Sequence, residues 1–194
     1  MFQSAPMEER ARRIVDTAVE LAEKGGFEAV RLRDVASVAG VALGTLYRHF
    51  RSKEDLLLAA LAEEVAQLEI YMAAHPAKGD TPIERVTSFF RTATQGMCRR
   101  PMLAQAILRA AASCQPELTE KVSRFHGRVM AMIARALRGS GTDGGGKPDK
   151  REEEIGVVLE QVWFASLVGW GGGLHDQPTV IENVRSAAAL MMRQ

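Results

Sequence analysis

The sequence predicts an all-α protein, with a small N-terminal helical domain over residues 1–51, a connecting helix over 52–75 and a larger helical domain over 76–194. Three observations carry this prediction. Apolar residues make up 46% of the chain but aromatics only 6%, and the β-branched residues rarely run together, which favours helix over strand. Apolar positions recur at spacings of three and four, the period of a helix with one buried face. Glycine and proline punctuate that pattern at intervals of one helix length.

The first helix carries Ile14, Ala18, Leu21 and Ala22 on one face and stops at Gly25-Gly26, where a left-handed residue can end it. A short helix over 33–39, with Val35, Ala36 and Ala39 inward, closes at Gly40. Another over 43–50 sets Leu46 and Phe50 one turn apart. Ser52 and Asp55 form an S-x-x-D start, in which the hydroxyl accepts from an early free amide. Leu56, Leu57, Leu61 and Leu68 then continue the pattern to about His75-Pro76.

Thr81-Pro82-Ile83-Glu84 joins an N-cap threonine, a first-turn proline and a capping-box glutamate, so a helix starts there. Ile83, Val86, Phe90, Ala93 and Met97 form its inner stripe until Pro101 interrupts. Residues 102–112 make a short helix, and Pro116 opens another carrying Val122, Phe125, Val129 and Ile133. The glycine-rich stretch 139–150 reads as a mobile loop. The apolar run 155–170 and a last helix from Pro178, with Ile181, Val184, Ala188 and Met191, complete the second domain.

Several classes of function find no support. There is no secretory signal pattern and no apolar run of about 18 residues to cross a bilayer, so a cytoplasmic protein without membrane contact is expected. Cys98 and Cys114 have no CxxC spacing and read as buried or incidental thiols. His126 has no paired histidine or Glu-x-x-His partner, so no metal and no cofactor are expected. Without such a motif, or a nucleophile beside a base, a helical-bundle enzyme is disfavoured.

The net charge of +1 conceals a local excess: Arg31, Arg33, Arg48, Arg51 and Lys53 face only Asp34 between positions 31 and 53. Two short helices meeting at a glycine turn, the second apolar on one side and polar on the other, are what a helix-turn-helix needs to read a major groove. Gly44, Thr45 and Arg48 would lie on the outer side of the second helix. Gly44 permits close backbone approach, Arg48 can pair bidentately with guanine, and Thr45 can meet a base or a thymine methyl. Tyr47, His49, Lys53 and Arg33 suit phosphate contacts. A helical protein-interaction module would explain the bundle but not this segment.

Val35-Ala36, Gly40, Gly44-Thr45-Leu46-Tyr47, Phe50, Ser52-Lys53 and Glu54-Asp55-Leu56 together closely resemble the DNA-binding region of TetR-family regulators. The resemblance covers about the first 60 residues. It implies a homodimeric repressor of a palindromic operator, whose C-terminal domain holds a small effector and pairs through its last two helices. Two departures stand out: Leu32 where many members have a Ser or Thr cap, and Ala42-Leu43 where many have Ser-Lys. The G-G-F-E-A-V and V-A-L-G-T-L-Y-R-H-F runs, with Val162-Trp163 and Leu167-Val168-Gly169-Trp170, resemble the KstR-type repressors of sterol catabolism. That subgroup implies an apolar effector with a polar end, such as an acyl-CoA thioester.

Phe90, Met97, Met102, Phe125 and Met130 are candidates to line the apolar pocket, since methionines and aromatics on facing helices can shape a tunnel. Trp163 joins them, although a tryptophan seven residues from Trp170 also fits a core or dimer stripe. Arg99-Arg100 could meet an anionic ligand tail, or complement a helix dipole.

Overall fold

A computed structural model describes residues 4–113, 115–139 and 149–193. Among these residues the regular structure is helical throughout: α1 (Ser4–Ala29), α2 (Leu32–Val38), α3 (Leu43–His49), α4 (Lys53–Ala74), α5 (Pro82–Cys98), α6 (Pro101–Ala111), a 3-10 turn (Pro116–Leu118), α7 (Thr119–Arg138), α8 (Lys150–Gly171) and α9 (Gln177–Met191). Cys114 and most of the expected loop, residues 140–148, lie outside the described residues.

The contacts separate two compact units, residues 1–64 with 100–122, and residues 65–99 with 123–194. α4 therefore gives its first half to one unit and its second to the other. α6 belongs to the first unit and lies along α1. Nothing in its apolar stripe specifies which partner covers it, because any complementary helix face would serve.

The first unit is organised by its turns. Gly26 takes φ +64° and breaks the helical run of α1, after which Phe27–Ala29 make a last turn. Gly40 takes φ +66° between α2 and α3, a left-handed conformation that glycine adopts without Cβ strain. Ile14, Val15, Ala18, Val35, Ala36, Leu46 and Phe50 are buried between the three helices. At the start of α4, the Ser52 hydroxyl accepts from Asp55 N at 3.1 Å and the Asp55 carboxylate accepts from Arg51 N at 3.0 Å. Leu56, Leu57, Leu58, Ala60 and Leu61 are all buried, whereas Ala62 and Glu63 are exposed, so this half of α4 keeps one side open to solvent.

In the second unit α9 packs on both α5 and α8. The capping box expected at Thr81 and Glu84 is formed, and a second one, Asp149 with Glu152, starts α8. Asp176 caps α9. Val86, Phe89, Phe90 and Ala93 form the buried stripe of α5, while Ile83 and Met97 at its ends are half-buried. Cys98 is buried, and burial pushes its thiol up to about 12, so it is held in the unreactive protonated form. No described helix is long and apolar enough to cross a membrane.

Candidate nucleic-acid interface

α3 is a two-sided helix of seven residues. Leu46 is fully buried and Phe50 just beyond it is nearly so, which fixes the rotation of the helix and turns Gly44, Tyr47 and Arg48 outward. Gly44 has no atom within 4 Å of where a Cβ would sit, and Tyr47 is 51% exposed. Arg48 reaches back one turn, donating from Nη2 to Thr45 Oγ1 at 3.0 Å. The two side chains best suited to base edges are thus pre-arranged on one face. His49 is half-buried, its ring 6.2 Å from that of Phe50.

Beside α3, residues 30–34, Tyr47 and Lys53 line a cleft of about 540 Å3. Arg31 and Arg33 are exposed at it. Lys53 is half-buried, with Nζ 3.8 Å above the Phe27 ring and 3.4 Å from the Glu28 carboxylate. The expected missing cap is real but sits elsewhere: the N-cap of α2 is Arg31, not Leu32, and it makes no side-chain cap bond. Ala42 at the N-cap of α3 makes none either. Since Arg31 occupies the capping position, a long cation stands where a short hydroxyl would otherwise close the helix start. Arg31, counted in the basic cluster of residues 31–53 but not among the candidate contacts, also lines this cleft.

The remaining basic pair resolves differently. Arg100 holds the first unit together, bonding Glu23 of α1 at 2.7 Å and Glu64 of α4, which ties α6 to both helices.

In the second unit the structure brings together some of the apolar candidates. The Phe90 and Trp163 rings lie 5.5 Å apart, and Trp163 Nε1 donates to Thr94 Oγ1 at 2.9 Å in the buried interior. Met130 packs its methyl against Gly156, whose missing Cβ leaves the room for it. Phe125 is half-buried beside His126. Met102 belongs to the first unit, is 42% exposed and has its methyl near Gly26. A groove of about 430 Å3 in this unit runs along the first half of α5 to Arg91 and Arg185, and none of the candidates lines it.

His126, which has no metal-binding motif around it in the sequence, has a specific partner. Its Nδ1 lies 2.6 Å from Oε1 of Glu160, a carboxylate only 6% exposed. Neither the Thr94–Trp163 bond nor this pair has a sequence signature, since each joins residues on different helices. No group of three or more metal-ligating side chains occurs among the described residues.

Comparison with known proteins agrees with this geometry. The sequence model for bacterial regulatory proteins of the tetR family matches residues 14–60, and that for the tetracyclin repressor-like C-terminal domain matches residues 79–191. The HTH-type transcriptional repressor KstR of Mycobacterium tuberculosis is 34% identical over 86% of this chain and 73% of its own length. KstR of Rhodococcus jostii is 35% identical over 87% of this chain and 76% of its own. Among solved structures, a TetR transcriptional regulator from Rhodococcus sp. RHA1 superposes with a TM-score of 0.82 at 26% identity, covering 95% of this chain and 97% of that one. Thermus thermophilus FadR, a repressor solved in complex with lauroyl-CoA, has a TM-score of 0.69 at 21% identity, covers 95% of each chain and so shares the fold. The chain belongs to the tetR family of bacterial regulatory proteins and is a DNA-binding transcriptional regulator, not an enzyme.

Proposed function

We propose that this regulator is a homodimeric repressor that binds a near-palindromic operator and is released from it by an apolar, acyl-CoA-type effector. The observation that carries the DNA-reading half is the outer face of α3, where Thr45, Tyr47 and Arg48 stand exposed or half-exposed beside a cleft flanked by Arg31, Arg33 and Lys53. Arg48 and Thr45 would meet base edges, Gly44 would allow the approach, and Arg33, Tyr47, His49 and Lys53 would contact phosphates. KstR relatives are repressors by name, which supports that sense of control.

Dimerisation is supported by an apolar surface on the last two helices, where Val157, Val158 and Val168 of α8 and Leu190 of α9 are at least 40% exposed. A two-fold pair would present its recognition helices about 34 Å apart, in successive major grooves. The effector would bind in the second unit, with Phe90, Met97, Phe125, Met130 and Trp163 as lining candidates. The acyl-CoA class is supported by its presence in a repressor of the same fold. α4, shared between the units, is the element through which the effector would respace the reading heads. Such a protein works in the cytoplasm.

The test is selection of bound fragments from a pool of genomic duplexes, repeated with Arg48→Ala and at two salt concentrations. A near-palindromic site that the variant fails to recover is expected, and addition of long-chain acyl-CoA thioesters should release it. Weak, sequence-indifferent binding by the unaltered protein would refute the DNA-reading assignment. Release by no acyl-CoA would refute the effector class alone.

A further inference from the structure

A charge cluster in the first unit lies between the DNA-facing cleft and α6. Two cations stand over the Phe27 ring, Lys53 with Nζ 3.8 Å and Arg109 with Cζ 4.2 Å from its centroid. The neighbouring Glu28 divides its carboxylate between the same two. Oε1 accepts from Arg109 Nη1 at 2.7 Å, whereas Oε2 meets Lys53 Nζ at only 3.4 Å. Both cations hold the Glu28 carboxyl below its usual range, Lys53 by its charge and Arg109 by its hydrogen bond, so Glu28 stays ionised.

The two distances decide how the cluster works. A single carboxylate that makes a full charge-assisted hydrogen bond to a guanidinium has less to offer an ammonium on its other oxygen. Lys53 lines the cleft with Arg31, Arg33 and Tyr47, whereas Arg109 sits in the last turn of α6 and does not line it. If Arg109 were absent, Glu28 would be free to close on Lys53. An approaching phosphate would then have to displace an ion pair instead of meeting an available cation.

We propose that Arg109 is a positioning residue for DNA binding: by occupying Glu28 it keeps Lys53 available to the DNA backbone, without touching DNA itself. This rests on the reading of Lys53 as a phosphate contact. Its consequence is that Glu28 opposes DNA binding and that Arg109 relieves the opposition. Arg109 and Glu28 have side chains 60% and 70% exposed, so substitution at either leaves the core intact.

The experiment measures affinity for the selected operator duplex by fluorescence anisotropy, over a range of salt, for Arg109→Met, Glu28→Gln, the double variant and Lys53→Met. Arg109→Met should weaken binding about twofold to fivefold, the range expected for exposed ion pairs. Glu28→Gln should tighten it by a similar factor, and the double variant should match Glu28→Gln alone. Equal weakening by Arg109→Met in both backgrounds would mean that Arg109 acts by its own charge, and no weakening in either would mean that it does not act; each overturns the proposal. Lys53→Met should weaken binding and lower the slope of log affinity against log salt by about one. If it leaves both unchanged, the phosphate role of Lys53 falls first and the proposal falls with it.

Discussion

Raising the pH through neutrality should weaken the second unit through one ion pair. His126 on α7 and Glu160 on α8 meet at 2.6 Å, with the Glu160 side chain 6% exposed and that of His126 42% exposed. Hydrogen bonding to the Glu160 carboxylate raises the His126 pKa above 6.5, opposed by partial burial and helped by the carboxylate's charge. The folded protein therefore holds this proton more tightly than the unfolded chain. The resulting stability is fully present below 6.5 and is lost as the pH rises through the higher folded value.

The size of the effect follows from the exposure of the histidine. Water screens its side of the pair, so the contribution is about 1 kcal/mol, the upper end for exposed ion pairs, and not the 3–5 kcal/mol, roughly, of breaking a fully buried one. For a chain of this length about 1 kcal/mol moves a melting midpoint by about 2–4 °C. Thermal melts of the unaltered protein and of Glu160→Gln across pH values from about 5.5 to 8.5 would measure it. The difference between the two removes pH-dependent contributions that both proteins share. The unaltered protein should lose its advantage over the variant as pH rises. A difference that stays flat, or grows with pH, would refute the reasoning.

Replacing Thr94 by Val keeps the shape of the side chain but leaves the buried Trp163 Nε1 without its acceptor, which should cost about 1–3 kcal/mol in a urea melt; an unchanged midpoint would show that the indole finds another partner. Gly127 of α7 has open space around its missing Cβ, so Gly127→Ala should stabilise by about 0.5–1 kcal/mol. Gly169→Ala should destabilise, because its Cβ would fall 2.5 Å from the His175 ring, which is itself held 2.8 Å from the Ser166 carbonyl. Calorimetry of the pair would reveal the opposite signs. Arg31→Ala should weaken operator binding without changing the sequence selected, and lower the salt slope by about one; an unchanged slope would place the guanidinium away from the DNA backbone.

The sequence by itself determined the helical elements and the reading head, because their signals are local. The Thr81–Glu84 capping box, the turn at Gly40 and the Leu46–Phe50 spacing each act within a few residues of chain. The side of α3 that faces outward follows from the same spacing, once Leu46 is known to be apolar. Only the tertiary structure decided which elements share a core and which polar groups meet. It assigned α6 to the first unit, set Met102 over Gly26 and placed Arg31 at the cap of α2. The Trp163–Thr94 bond joins residues 69 positions apart and the Arg109–Glu28 bond 81 apart. An apolar stripe states that it must be covered but not by what, and a charge states that it needs a partner but not which. Those choices are made only when distant helices pack.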